Sequence, residues 1–273
     1  MQAVLDVVDV AVVIVNYSSA EKVLALLADV GASRPHPCEV VIVDNGDVPF
    51  GTSTSEFPFE VTVIRTTNRG FGAAVNEGVL QCRAGALCVS NPDVRLQTPE
   101  IFGKLHRELQ QMGVGIVAPE VLGTNGQAAA EVGTDLPSLR SSLTMAWRQR
   151  RGTSTGANPG YVDSVTGAFL MISRATWTQL NGFDETYFMY FEDADLCARV
   201  RRLGLRILIL AGVTVEHEIG GTPASWAQRR GWYEASRKHY FDSWRPRYEG
   251  LVVAALGLIS QRRNRDAAMV HQP

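Results

Sequence analysis

The chain has 273 residues, 45% of them hydrophobic and 20% charged, with a formal net charge of −2. That length and balance fit a globular protein with one large domain or two small ones. They provide no global basic field that would mark a nucleic-acid partner, and none is expected.

The N-terminus, "MQAVLDVVDV", carries acids and no basic stretch, so it does not read as a secretory signal. No apolar run reaches the roughly 18 to 20 residues that a membrane span needs. Cys38, Cys82, Cys88 and Cys197 have no CxxC spacing. They read as reduced, mostly buried thiols rather than disulfides or zinc ligands, which points to a cytoplasmic protein.

In chain order, "VAVVIVNY" (10–17) is a near-continuous β-branched run, as in a parallel strand buried on both faces. Ser18 or Ser19 is expected to cap the helix over "AEKVLALLADV", and Gly31 to end it. Strands follow at "EVVIVDN" (39–45) and "FEVTVIRT" (59–66), a helix at "GAAVNEGVLQC" (72–82) and a strand at "ALCVSNPD" (86–93). A helix near 98–112 leads into a short strand, "GVGIVAP". This β-α-β rhythm predicts an open, mostly parallel sheet flanked by helices.

Residues 123–160 are rich in Gly, Thr, Ser, Asn and Arg and read as a loop or insertion with one helix around "LRSSLTMAW". Order returns at "SVTGAFLMIS" (164–173). A short helix, "RATWTQLNG", closes at Gly182. A second, "EDADLCARVRRLG" (192–204), has acids in its first turn and arginines in its last. "LRILIL" and "GVTVEHE" predict two short strands, and 223–244 a long amphipathic helix. The apolar "LVVAALGLIS" (251–260), followed by "QRRNR", has two readings. It is either a C-terminal helix packed on the domain or one lying on an anionic membrane surface.

In open α/β sheets, ligands bind beyond the carboxyl ends of the strands. The strands here end in Asn16 and Tyr17, Asp44 and Asn45, Asn68, and Asp93. Each could be a turn former, but together they describe one polar edge. "NRGFGAAVNEG" (68–78) sets Gly70 and Gly72 between a strand and a helix, beside Asn68 and Asn76. It is a poor dinucleotide fingerprint, because it is not on the first turn and its third glycine is misplaced. Its glycines serve either close backbone approach to a ligand or tight helix packing.

"FEDADLC" (191–197) crowds Glu192, Asp193 and Asp195 at a helix start behind the aromatic stretch "GFDETYFMY". A carboxylate beside aromatic walls is a partly desolvated base. His217, in "VEHEIGG", ends a strand. Its neutral imidazole can complete a metal site begun by Asp93, since Mg²⁺ and Mn²⁺ keep few protein ligands and take the rest from phosphates and water.

Taken together, "VIVNY", "VDNG", "NRGFGAAVNEG", "SNPDV", "GAFLMISRATWTQLNGFDETYFMYFEDADLCARVRRLG" and "VEHEIGGT" resemble the inverting GT-A glycosyltransferases of family 2, bacterial rhamnosyltransferases and galactofuranosyltransferases in particular. The resemblance runs from about Val10 to about Tyr240. It implies a GT-A fold, with a Rossmann-like central sheet and a C-terminal subregion on the acceptor side. Residues 1–246 would be one catalytic domain, with a nucleotide-sugar half over 10–120 and an acceptor and base half over 160–246. Residues 247–273 would form a C-terminal helix and tail.

The resemblance also implies roles. Asp193 is the general base, with Glu192 beside it. Asp93 is the remaining member of an aspartate triad and His217 a second ligand to Mg²⁺ or Mn²⁺. Asn16, Tyr17, Asp44, Asn68, Gly70, Gly72, Asn76, Asn91, Gly167 and Arg237 are the substrate-binding set, with Arg229 and Arg230 beside Arg237 on the following helix. The implied reaction moves a sugar, L-rhamnose from dTDP-L-rhamnose by preference, onto a hydroxyl of a glycan or polyprenyl-linked glycan, in cell-wall or other polysaccharide synthesis. A UDP-sugar such as UDP-galactofuranose is the rival donor, and a catalytically inactive sugar-nucleotide-binding protein the rival role. A nucleotidyltransferase would need a Gly-rich phosphate loop where this chain has "NYSSAEK". A lipid-linked acceptor would place the protein at the inner face of the plasma membrane.

Overall fold

A computed structural model describes residues 7–51, 56–124, 126, 135–150, 159–218 and 224–255. The segments "MQAVLD", "IGGT" and "LGLISQRRNR" on which some expectations rest lie outside the described residues.

β1 (Val7–Asn16) is the central strand of the parallel part of the sheet. Its alternation builds both cores. Val10, Val12 and Ile14 enter one apolar cluster, and Ala11, Val13 and Val15 the other. β2 (His36–Asp44) and β4 (Ala86–Ser90) divide in the same way, with Val40, Ile42 and Cys88 on one face and Val41, Val43 and Leu87 on the opposite one. A two-sided strand needs apolar residues at every position, which is why these runs carry no polar alternation. Each such side chain contributes about 1.5–3 kcal/mol when fully buried.

The sheet has nine strands in the order β3-β2-β1-β4-β8-β6-β9-β5, with β7 (Gly160–Val162) on β9. It is parallel from β3 (Glu60–Arg65) to β4. β8 (Phe169–Ser173) then runs antiparallel to both β4 and β6 (Val114–Leu122). β6 pairs parallel with β9 (Arg206–His217), and β5 (Val94–Leu96) antiparallel with β9. Beyond β4 the sheet is therefore mixed. The chain leaves β1 for β2 on one side and returns to β4 on the other, a topological switch point that opens a crevice at the carboxyl ends.

α1 (Ala20–Ala32) and α3 (Ile101–Leu109) cover the first face; α2 (Phe71–Gln81), α5 (Arg174–Leu180) and α6 (Glu192–Arg202) cover the second. The expected helix in the 123–160 stretch is α4 (Leu139–Arg150). α7 (Trp226–Trp244) lies over a third cluster of Tyr187, Ala194, Tyr240, Phe241 and Val253. A further helical stretch, 247–255, adds Val253 to that cluster, and its Glu249 carboxylate accepts from the Leu139 amide at 2.9 Å. Among the described residues no helix is long and apolar enough to cross a membrane.

Three expectations change. Ser19 occupies the N-cap position of α1, but its hydroxyl donates to the Tyr17 carbonyl at 3.0 Å and caps nothing. The helix runs past Gly31 to Ala32. The two short strands expected over 205–218 are one, since Gly212, at φ 71°, absorbs a bulge without breaking the pairing to β6.

Candidate active site

The corner after β4 is built by a strand too short to show in the sequence. β5 pairs antiparallel with the end of β9, which sets Val94 opposite His217. Asp93, one residue earlier, then lies beside the imidazole, with His217 Nε2 3.3 Å from Asp93 Oδ1. Both side chains are largely buried, 12% exposed for Asp93 and 15% for His217. Among the described residues Asp93 Oδ1 is buried without a hydrogen-bond partner. Asn91 Nδ2 lies 3.3 Å from the same imidazole nitrogen.

A carboxylate oxygen and an imidazole nitrogen 3.3 Å apart form a cradle whose donor set fits a hard divalent cation. Among the described residues no group of three or more His, Cys, Asp or Glu side chains could hold a metal. The cradle supplies two protein ligands, a number that suits an ion completed by phosphate oxygens and water.

The second centre is the start of α6. Asp193 Oδ2 accepts from the Gly167 amide at 2.9 Å, and Oδ1 from the Ala194 amide at 2.7 Å. Burial pushes the Asp193 carboxyl above the usual carboxylate range, against the pull of these amides. Glu192 is 6% exposed and its Oε2 has no partner. Burial, and then the neighbouring Asp193 charge, raise its pKa as well.

The Gly167–Ala168 step joins the two centres. The Gly167 amide holds Asp193, and the next carbonyl, of Ala168, accepts from the Asn91 amide at 2.8 Å. A Cβ on Gly167 would stand 3.4 Å from Asp193 Cβ, an ordinary van der Waals contact. Gly167 thus touches the candidate base, and Asn91 touches the cradle.

At the switch point Asn16 and Asp44 are Cα partners in register. Asn16 Nδ2 donates to Asp44 Oδ1 at 2.8 Å, and the Phe50 amide to Oδ2 at 2.8 Å. Arg65 lies 3.6 Å from the same carboxylate. Both Asn16 and Asp44 are buried, and Tyr17 is half-buried just beyond. The pair is locked internally, a relationship that strand-end polarity alone did not reveal.

The "NRGFGAAVNEG" motif has a packing purpose. Gly70 has φ 108°, and a Cβ there would stand 2.3 Å from the Phe188 carbonyl oxygen. On Gly72 a Cβ would stand 2.9 Å from Phe183 Cβ. Asn76 accepts from the Phe183 amide at 2.9 Å, and donates to the Phe183 carbonyl at 2.9 Å and to Glu185 at 3.0 Å. Arg69 reaches Glu185 at 2.6 Å and also pairs with Glu77. Asn68 is exposed and its Oδ1 accepts from the Gly70 amide at 3.1 Å. These residues clamp the aromatic segment that leads into Glu192 and Asp193. The glycines are tightly packed on Phe188 and Phe183.

Asp195, the third acid, has a structural position. It accepts from Trp244 Nε1 at 2.8 Å and from Arg199 Nε at 2.7 Å. Arg237 pairs with Glu234 at 2.5 Å and is 13% exposed. The aromatic floor under α7 was legible only as composition. Phe188 packs at a tilt on Trp232, Tyr187 edge-on to His239, and Phe191 at a tilt on Tyr233 and Tyr240, while Ser236 donates to the Met189 carbonyl.

A doubly flanked sheet, a switch-point crevice and two carboxylate centres joined by one dipeptide define a class. Solved glycosyltransferases of the GT-A fold share the fold. GalNAc-T7 with UDP, GalNAc and Mn²⁺ superposes with a TM-score of 0.62 at 14% identity, over 85% of this chain and 47% of that one. The mannosyltransferase PcManGT of Pyrobaculum calidifontis, with GDP-Man and Mn²⁺, gives 0.58 at 15% identity, over 86% and 64%. The chain spans about half the length of the first of these.

The chain belongs to the glycosyltransferase like family 2, whose model matches residues 8–233. Among curated relatives, the N-acetylglucosaminyl-diphospho-decaprenol L-rhamnosyltransferase of Mycobacterium tuberculosis is 27% identical over 246 residues, covering 78% of each chain. The low-salt glycan biosynthesis hexosyltransferase Agl10 of Haloferax volcanii is 27% identical over 216 residues, covering 76% of this chain and 65% of its own. The protein is thus a glycosyltransferase with rhamnosyltransferase relatives.

Proposed function

We propose that this enzyme transfers a hexose, L-rhamnose from dTDP-L-rhamnose, onto a hydroxyl of a lipid-linked glycosyl diphosphate, with inversion at the anomeric carbon. The observation that carries the reading is the pairing of the Asp93–His217 cradle with Asp193 through Gly167 and Ala168. The relative that acts on a decaprenol-linked acceptor supports the acceptor class and the sugar.

Asp93 and His217 would hold Mg²⁺ or Mn²⁺, the ion taking the place of the Asn91 Nδ2 contact on the imidazole nitrogen. When bound, that ion supplies positive charge against the donor diphosphate and its leaving group. Asn16 and Asp44 shape the floor of the nucleotide crevice, and Tyr17 its rim. Asp193 removes the proton from the acceptor hydroxyl. The oxygen then attacks the anomeric carbon from the face opposite the nucleotide, and configuration inverts in one displacement. Desolvation suits Asp193 to this task, because a carboxylate with a raised pKa is a stronger base.

A covalent glycosyl intermediate would need an activated nucleophile. Cys82 and Cys197 are buried thiols with pKa values pushed up to about 12, and burial raises Cys88 further, so all three stay protonated. The continuous sheet from β3 to β5 supports treating 1–246 as one catalytic unit, on which the helical stretch 247–255 packs through Val253 and Glu249.

The test is a transfer assay with dTDP-L-rhamnose, UDP-galactofuranose, UDP-glucose and GDP-mannose in Mn²⁺, using an N-acetylglucosaminyl diphosphate prenol as acceptor. A product only with dTDP-L-rhamnose, having the anomeric configuration opposite to the donor, supports the reading. Product from another donor refutes the rhamnose assignment, and retained configuration refutes the mechanism.

A further inference from the structure

α7 carries a feature that the transfer chemistry does not use. Its start is fixed by a capping box, in which the Ser225 hydroxyl accepts from the Gln228 amide while the Gln228 side chain accepts from the Ser225 amide. One face of the helix is buried on Tyr187, Phe188 and Phe191. Trp226, Arg230 and Tyr233 follow at i, i+4 and i+7, which sets them on a single stripe. That stripe leaves Trp226 66% and Tyr233 45% exposed. Two large rings share this exposed stripe of a helix that buries Ser236, Tyr240 and Phe241 on its other side, and such paired exposed rings offer a contact surface.

The stripe is tied to the candidate base. The Tyr233 ring centroid is 5.9 Å from that of Tyr190 and 5.2 Å from that of Phe191, the two residues immediately before Glu192 and Asp193. Tyr190 and Phe191 both hold left-handed backbone, at φ 71° and 67°. Such conformations cost about 1–3 kcal/mol each in a non-glycine residue and persist where the surroundings enforce them. Rings of α7 pack on both residues, so the strained turn and the exposed stripe are joined at Tyr233.

Its charge is positive. The Arg230 guanidinium stands 5.1 Å from the Trp226 ring centroid and has no carboxylate partner among the described residues. The nearest acid on the helix, Glu234, is taken by Arg237. Aromatic faces stack on the C–H face of a pyranose, and a guanidinium pairs with phosphate oxygens.

We infer that Trp226, Arg230, Tyr233 and Tyr190 form the acceptor subsite, with the rings receiving the acceptor sugar and Arg230 the diphosphate that links it to lipid. This rests on the functional reading above, since it presumes that a nucleotide sugar occupies the crevice and that Asp193 meets an acceptor hydroxyl. The subsite is separate from the Asp93–His217 cradle, which serves the donor.

The test uses the full chain loaded with dTDP and Mn²⁺. Two soluble probes are titrated by calorimetry: N-acetylglucosaminyl diphosphate on a short prenyl chain, and octyl N-acetylglucosaminide, which lacks the diphosphate. Tyr233→Ala and Trp226→Ala should weaken both probes about three- to tenfold, the scale of one lost stacking contact. Arg230→Gln should weaken the diphosphate probe and leave the glycoside unchanged. Tyr233→Phe and Trp226→Phe should restore binding, which separates stacking from a folding defect. In every variant dTDP should bind as in wild type. If dTDP binds but the wild type takes neither probe, or the alanine variants bind both probes normally, the acceptor subsite is overturned and the functional reading stands. If no nucleoside diphosphate binds the wild type, both fall.

Discussion

His217 Nε2 stands 3.3 Å from Asp93 Oδ1, and that oxygen is buried with no hydrogen-bond partner. A carboxylate oxygen in this condition carries a desolvation cost that a cation would relieve. Asp93→Asn and His217→Ala should therefore abolish the Mn²⁺ dependence of dTDP binding and lower kcat/KM on the order of 100-fold or more, the scale of lost electrostatic stabilisation in a transition state. Calorimetry with and without Mn²⁺, alongside a transfer assay, checks this. Metal-dependent binding that survives in Asp93→Asn would place the ion elsewhere.

Asp193 is held by two backbone amides, from Gly167 and Ala194. Asp193→Asn preserves that shape and removes the base. Transfer should fall about 10²- to 10⁴-fold, while dTDP affinity stays within about twofold. Because burial raises the Asp193 pKa, wild-type activity should decline as pH falls through a point above the ordinary carboxylate range. A pH–kcat profile that stays flat down to pH 4 would contradict the assignment.

Some of this could be read from the chain and some could not, for physical reasons. β1, β2 and β4 announce themselves because a strand buried on two faces must be apolar throughout. Polar residues at their ends stand out by contrast, which is how Asn16, Asp44 and Asp93 became visible. The pairing of His217 with Asp93 was expected from the chain, but the strand that makes it was hidden. β5 has three residues, too few for any periodicity, yet it brings His217 to Asp93. The single strand β9 looked like two because a bulge at Gly212 interrupts its pattern without ending its pairing. The glycines of "NRGFGAAVNEG" were conspicuous as a motif, but only the approach of Phe183 and Phe188 shows what they accommodate.

Glu192 gives a stability test that is independent of transfer. Its carboxyl is buried, has an unpartnered oxygen, and has its pKa raised first by burial and then by Asp193. The folded state then binds a proton more tightly than the unfolded chain. Stability from this group is present at low pH and is lost as pH rises from the unfolded pKa towards the higher folded one. Glu192→Gln removes the ionisable group and keeps its shape. The variant should be more stable than wild type at pH 8, and the difference should shrink towards pH 5. Thermal melts across that range measure it; a wild type whose advantage grew with pH would reverse the sign and refute the argument.

Gly70 and Asn76 separate architecture from ligand binding. A methyl group on Gly70 meets the Phe188 carbonyl oxygen at 2.3 Å, and the φ of 108° is unfavourable for any side chain. Gly70→Ala should destabilise the fold by about 2 kcal/mol or more. Asn76→Ala leaves the Phe183 amide and carbonyl without their partner, at about 1–3 kcal/mol. Both changes loosen the segment that carries Phe191 into Glu192 and Asp193, so kcat should fall more than donor affinity. Denaturant melts together with the KM for dTDP-L-rhamnose decide the matter. A variant of normal stability whose donor KM alone had risen would make these residues nucleotide contacts instead of a clamp.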